Sequence, residues 1–91
     1  MNYQQPLVLS LDSNSRIRQN LARNPNLFAE IQSILAKDSN IGVRKSLAYN
    51  PSLSAKTQKV LDQDESLIVR NALRDNPNFT PNMREIFKEQ V

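Results

Sequence analysis

Three observations predict that this chain of 91 residues folds as an all-α stack of about three 26-residue repeats. The dipeptide Asn-Pro recurs at a constant interval of 26 residues, as Asn24-Pro25, Asn50-Pro51 and Asn76-Pro77. The chain has a single glycine, whereas β-rich folds use several glycines at their turns. Apolar residues within each unit recur at the three- and four-residue spacings of short amphipathic helices.

The first helix of each unit is predicted to follow an aspartate. The aspartates of the three units are Asp12, Asp38 and Asp64. Behind each aspartate, two apolar residues four positions apart share one helix face, and these pairs are Ile17 and Leu21, Val43 and Leu47, and Val69 and Leu73. We expect the aspartates and the nearby serines to cap these helices. Each helix spans only about two to three turns, so packing against its neighbours must hold it.

A second helix is predicted after each Asn-Pro. Its apolar face is clearest at Ile31, Ile34 and Leu35, which lie at positions i, i+3 and i+4. The later units repeat this face at Val60-Leu61 and at Met83, Ile86 and Phe87. The second unit has Thr57 in place of an apolar residue, so we expect its helix to be weaker. Thr80 followed by Pro81 is a typical start for the last helix.

The Asn-Pro pairs are interpreted as helix stops. Proline lacks a backbone N–H and moves the preceding residue out of the α region, while an asparagine side chain can satisfy nearby backbone groups. A fixed interval between such stops would stack equivalent helices on one another. One variant of this interpretation is an asparagine ladder, in which each side chain bonds the backbone of the next unit. The alternative is that the asparagines bind a ligand.

The chain is expected to be a single repeat domain over residues 1–91. Residues 1–12 would form an N-terminal half-unit or cap, and the repeats would span 13–38, 39–64 and 65–91, with the last one ending as a C-terminal cap. The first segment could instead expose Leu7, Val8 and Leu11 and form a homodimer. We favour a monomer.

The aligned units read L-x-x-D-x-x-x-x-[IV]-R-x-x-L-A-x-N-P-x-[LF], with Arg74 in place of the alanine in the third unit. From Leu9 to about Phe87 this unit resembles the leucine-rich repeat variant family of bacteria. The resemblance implies a right-handed helical solenoid of alternating α- and 3₁₀-type helices, and it implies no activity. The best-known member carries an iron–sulfur module held by cysteines, which this cysteine-free chain lacks. A solenoid of HEAT-like helix pairs is the alternative.

An arginine column is the most site-like feature of the sequence. Arg18, Arg44 and Arg70 keep the repeat register, and a helical stack would align their guanidinium groups. Such a row could bind phosphates or acidic peptides, because guanidinium forks match both groups. Alternatively, each arginine pairs with an aspartate of its own or the adjacent unit. The aspartates recur at the same 26-residue interval as the arginines, which favours that pairing.

The formal charge of +3 is concentrated in the first half of the chain. Besides the arginine column, this half contains Arg16, Arg23, Lys37 and Lys45. These side chains could contact nucleic acid or form a solvated helix face. Tyr49 replaces Arg23 and Asp75 in an exposed column, so it is a candidate partner contact.

The sequence gives no support for an enzyme. It contains neither cysteine nor histidine, which excludes disulfides, thiolate metal sites and the commonest acid–base group. One glycine cannot form a glycine-rich phosphate loop. We therefore expect no catalytic, cofactor or metal site, and no cofactor. Without a secretory signal or a bilayer-spanning stretch, the expected location is cytoplasmic. The predicted function is a protein–protein interaction adaptor, and the alternative is nucleic-acid binding through the basic half.

Overall fold

A computed structural model describes residues 4–80, which form six α-helices and no strand. The helices are α1 (Gln4–Ser10), α2 (Ser15–Ala22), α3 (Ala29–Leu35), α4 (Ile41–Ala48), α5 (Ala55–Asp62) and α6 (Leu67–Asp75). The all-α prediction is therefore confirmed for this part of the chain. The last predicted helix, with Met83, Ile86 and Phe87, lies outside the described residues.

The helices that follow Asn-Pro are α-helices, so the expected alternation with 3₁₀ helices is wrong for the described residues. Their first backbone bonds already span four residues, from Gln32 N to Phe28 O and from Gln58 N to Ser54 O, each at 3.0 Å. Bonds of three-residue span close helix ends, as from Lys37 N to Ile34 O. Segments of seven or eight residues are long enough for the better hydrogen-bond geometry of the α-helix.

The first helix of each unit is capped two residues after its aspartate. The capping side chains belong to Asn14, Asn40 and Ser66, which accept hydrogen bonds from the first-turn N–H groups of α2, α4 and α6. Each aspartate carboxylate instead accepts the N–H of the capping residue, at 2.8–2.9 Å. The aspartates therefore shape the turn before the cap and are not the caps that the sequence predicted.

Thr57 does not shorten its helix. It is buried in α5, which has eight residues against the seven of α3. Its hydroxyl is 2.8 Å from the Ser54 hydroxyl, and Ser54 also accepts the Thr57 N–H at 3.1 Å. The sequence predicted a weaker helix because Thr57 interrupts its apolar face, but a buried hydroxyl that has a hydrogen-bond partner carries little desolvation cost.

The helices pack in two rows. In one row α2 packs on α4 and α4 on α6, and in the other α1 packs on α3 and α3 on α5. Between the rows lies the core, whose fully buried members include Ile31, Leu35, Leu47, Leu61 and Leu73. The first row presents its outer side to solvent, which is where the candidate surface lies.

The N-terminal helix covers the start of the core. It contacts α2 and α3, and Leu7 and Leu9 pack against the core. Val8 and Leu11 remain exposed, so only part of the apolar set predicted for a dimer lies on the surface. None of the helices within residues 4–80 has the length and apolar character required to cross a membrane.

Candidate binding surface

Two members of the arginine column, Arg18 and Arg44, pair with the aspartate that begins the following unit. Arg18 donates from Nε to Asp38 Oδ2 at 2.7 Å and from Nη2 to Asp38 Oδ1 at 3.2 Å, while its Nη1 bonds the backbone oxygen of Asp12 at 2.6 Å. The hydrogen bond to Asp38, aided by the charges of Asp38 and Asp12, raises the pKa of Arg18 above its usual value. Arg18 thus ties one turn of its own unit to the next unit.

Arg44 repeats this arrangement one unit later. Its Nε and Nη2 bond the Asp64 carboxylate at 2.8 and 3.3 Å, and its Nη1 bonds the backbone oxygen of Asp38 at 2.6 Å. The side chains of Arg44 and Asp64 are only 9% and 7% exposed. Nε, Nη1 and Nη2 of Arg18 and of Arg44 each make one of these contacts, which favours internal pairing for these two arginines.

Arg70 has the same backbone contact, but no carboxylate partner among residues 4–80. Its Nη1 donates to the backbone oxygen of Asp64, and no ion pair of Arg70 occurs within residues 4–80. In the repeat register the position of Asp38 and Asp64 corresponds to Gln90, which lies outside the described residues.

The asparagines of Asn-Pro form a ladder. Asn50 Nδ2 donates to the backbone oxygens of Ala22 and Asn24 at 2.7 and 2.9 Å, and Asn76 makes the same contacts one unit later, at 2.8 Å each. The ladder therefore reaches back to the preceding unit and not forward as expected. Asn50 and Asn76 are buried, so neither presents its amide to a ligand. The three prolines that follow the asparagines are exposed, and these are Pro25, Pro51 and Pro77.

Each ladder asparagine also fixes its own turn. The Oδ1 atoms of Asn24, Asn50 and Asn76 accept the N–H two residues later, at 2.8–2.9 Å. The side chain thus compensates for the hydrogen bond that proline cannot donate, as predicted for a helix stop.

A glutamine ladder in the other row was missed by the sequence analysis. Gln32 Nε2 bonds the backbone oxygens of Leu27 and Ser52, and its Oε1 accepts the Ser54 N–H at 2.9 Å. One unit later, Gln58 accepts the N–H and hydroxyl of Thr80. The available signal was the 26-residue offset between Gln32 and Gln58, which only two units share.

The outer face of α2, α4 and α6 carries the remaining candidate residues. We define the outer face by three positions in each helix, four residues apart and therefore on one side. These positions are Ser15, Gln19 and Arg23; Ile41, Lys45 and Tyr49; and Leu67, Asn71 and Asp75. All are exposed except Ser15 and Gln19, which are half-buried. The sequence-predicted candidates Arg23, Lys45 and Tyr49 therefore share one surface.

One apolar end of the outer face was not predicted. Ile41 is 44% exposed and Leu67 58% exposed, and Ile68 beside them is 55% exposed. Ile41 and Leu67 precede the buried Val43 and Val69 by two positions, which places them on nearly opposite sides of the same helices. That spacing was the signal for exposed apolar residues in the sequence.

The α2 and α4 parts of the outer face meet at Gly42. A Cβ atom added to Gly42 would stand 2.7 Å from Gln19 Nε2 and 2.9 Å from Asn40 Oδ1, so a side chain here would displace one of them. The glycine allows the Gln19 amide to lie over α4. Gln19 thereby links the two helices across the candidate surface.

The other basic candidates are divided between the two rows. Arg16 is exposed on α2, near the outer face, whereas Lys37 follows α3 in the second row. No group of three or more metal-ligating side chains occurs in the described part of the chain. No family model, no curated protein and no solved structure matches this chain. A functional assignment therefore depends on the geometry of the surface.

Proposed function

We propose that this chain is a non-enzymatic binding module that recognises a protein partner through the outer face. In this proposal the module is a right-handed solenoid of about three repeats, similar to the leucine-rich repeat variant family or to HEAT-like pairs, and acts in the cytoplasm as an adaptor or accessory factor. Repeat arrays of this kind present extended surfaces, because each unit contacts only its neighbours.

The observation that carries the proposal is the apolar and aromatic content of an exposed surface. Ile41, Leu67 and Ile68 lie at one end, and Tyr49 lies at the other end of α4 with Lys45 between. Tyrosine and aliphatic anchors inside a polar rim are typical of protein interfaces. A solvent-exposed helix surface with no partner has little reason to combine them.

The three side-chain ladders support a preformed surface. Arg–Asp, asparagine and glutamine contacts each join residues 20 to 28 positions apart, so every unit is fixed to its neighbour by polar bonds as well as by the core. A surface built on helices fixed in this way loses little conformational entropy when it binds. The aspartates Asp38 and Asp64 are used in these contacts, which supports the non-enzymatic assignment.

A protein partner fits the outer face better than nucleic acid does. The face contains Asp75 beside Tyr49 and Arg23, so its charge is mixed, whereas phosphate tracks are uniformly basic. Lys37 lies in the other row and does not extend a basic path along α2 and α4. Nucleic-acid binding through Arg16, Arg23 and Lys45 remains the competing outcome of the experiment below.

The test is affinity capture from the native cell, with and without nuclease, at about 0.05 and 0.2 M salt. Three baits are compared: the wild-type chain, an outer-face variant that carries Tyr49→Ala and Leu67→Ser, and a matched control. The control carries Val8→Ser, which changes an exposed apolar residue of the other row. We expect a partner protein that resists nuclease, remains bound at the higher salt, and is lost only with the outer-face variant. Recovery of nucleic acid alone, lost at the higher salt, would instead establish the competing function.

A further inference from the structure

A recess lies between α3 and α5. It has a volume of about 80 Å³ and opens on the helix row opposite to the outer face. The lining residues come equally from the two helix segments, and they are Ser33, Ala36, Lys37, Lys56, Thr57 and Val60. A single water needs roughly 10–15 Å³ of such volume, so the recess has room for several waters or for one aliphatic side chain.

The recess exists because smaller residues replace larger ones in the repeat register. Thr57 stands where the first unit has Ile31, Val60 where it has Ile34, and Ser33 where the N-terminal helix has Leu7. Ile31 is fully buried, and Leu7 and Ile34 pack against the core. The substitution at Thr57 therefore removes volume between α3 and α5 without weakening the helix that contains it.

Two lysines at the recess have no acidic partner in the part of the chain that the structure describes. Lys37 and Lys56 are both exposed, and neither forms an ion pair within residues 4–80. The corresponding positions between α1 and α3 are Leu11 and Glu30. Positive charge is thus combined with open volume between α3 and α5, whereas the corresponding residues one unit earlier include no cation.

The hydroxyl groups of the recess are already used. Thr57 Oγ1 is hydrogen-bonded with Ser54, and Ser33 Oγ donates to the backbone oxygen of Ala29 at 3.2 Å. The remaining walls, Ala36 and Val60, are apolar. A bare phosphate would find two flexible ammonium groups but no further donors, whereas an aliphatic side chain would fill the apolar part of the recess.

We propose that this recess binds an acidic peptide segment, taking one aliphatic side chain between α3 and α5 while Lys37 and Lys56 pair with flanking carboxylates. The site lies apart from the outer face, so it would give the module a second contact with a partner. Burying a leucine-sized group supplies most of the affinity, and the two exposed ion pairs add less. A dissociation constant on the order of 1 mM is expected for a short peptide.

The experiment measures binding of a fluorescein-labelled pentapeptide, one leucine flanked on each side by two glutamates, to the full chain. Thr57→Ile, which restores the residue of the first unit and fills the recess, should weaken binding about tenfold. The double variant Lys37→Gln, Lys56→Gln should weaken it about fivefold. Lys45→Gln, on the outer face, is the matched control and should have no effect. Circular dichroism verifies the fold of each variant.

The outcomes separate this site from simpler alternatives. Binding that decreases in both recess variants and in a peptide with alanine in place of leucine supports the proposal. Unchanged binding in Thr57→Ile, an equal loss in Lys45→Gln, displacement by inorganic phosphate at matched ionic strength, or no saturable binding would each overturn it. Because no outer-face residue is changed in the recess variants, these results leave the proposed function separately testable.

Discussion

Replacing Asn50 with alanine should destabilise the protein more than any exposed substitution in the same repeat register. Asn50 is 1% exposed, donates two hydrogen bonds to the backbone oxygens of Ala22 and Asn24, and accepts one from the Ser52 N–H. Asn50→Ala removes all three bonds at once. It also removes this side-chain partner from the buried backbone oxygen of Ala22 and from the partly buried groups of Asn24 and Ser52.

The expected magnitude follows from these contacts. A hydrogen bond contributes about 0.5–1.5 kcal/mol net, and a buried group left unsatisfied costs about 1–3 kcal/mol. Three bonds, at least one of them to a buried carbonyl, therefore give a loss of about 3 kcal/mol in the free energy of unfolding. For a chain of this size that corresponds to a decrease of about 15 °C in the melting temperature.

The matched control is Asn24→Ala. Asn24 has the same place in the first unit, and among the described residues its side chain makes one hydrogen bond, accepted from the exposed Asn26 N–H. The loss of this hydrogen bond should lower the free energy of unfolding by about 0.5 kcal/mol. Asn50→Asp adds a second comparison, since it retains the acceptor for Ser52 but cannot donate to the two carbonyls.

The assay is urea unfolding followed by circular dichroism at 222 nm, with wild type and the three variants measured together. Equal destabilisation by Asn50→Ala and Asn24→Ala would refute the reasoning, because it would assign the cost to the turn alone. A loss below about 1 kcal/mol for Asn50→Ala would show that the inter-unit bonds contribute little to stability.

Three further predictions concern the other ladders. Asp64→Asn leaves the Arg44 charge buried without its partner, so it should lower the free energy of unfolding in urea by about 3 kcal/mol. The control Asp12→Asn breaks no ion pair within residues 4–80 and should lower it by less than about 1 kcal/mol. Because folding raises the pKa of Arg18, this residue contributes its full stabilisation below its unfolded-state pKa and loses it only as the pH rises through its folded-state pKa. The free energy of unfolding, measured from about pH 6 to 9, should therefore show no decrease due to Arg18. Gln32→Ala removes two donated bonds and one accepted bond, so its melting temperature should decrease by about 10 °C, and an unchanged value would contradict a structural role for the glutamine ladder.

The sequence predicted the helices and the core well, because both follow from local rules. Val43 and Leu47 are buried as their four-residue spacing requires, and the chain turns at each Asn-Pro. The direction of the asparagine ladder was not predictable, since register alone shows which residues are equivalent but not which of two neighbouring units a side chain faces. That choice depends on how consecutive helices cross, which no local pattern encodes.

The arginine column shows the same limit at the candidate site. Its periodicity suggested both a ligand-binding row and a set of internal ion pairs, and the Arg18–Asp38 and Arg44–Asp64 ion pairs favour the second. The apolar end of the outer face was overlooked for a different reason. Leu67 and Ile68 are adjacent to Val69, so an apolar run hid the fact that one short helix cannot bury three consecutive residues.

A comparison between the three units separates residues that hold the stack from residues suited to recognition. The aspartate and asparagine positions carry one residue type in every described unit: Asp12, Asp38 and Asp64, or Asn24, Asn50 and Asn76. The outer-face column of Arg23, Tyr49 and Asp75 has a different charge in each unit. A stack needs equal contacts at every step because its helices, of seven to nine residues, are too short to be stable alone. A surface that only faced water would have no such reason to place a cation, an aromatic ring and an anion side by side, whereas one asymmetric partner spanning three units would contact each of them differently.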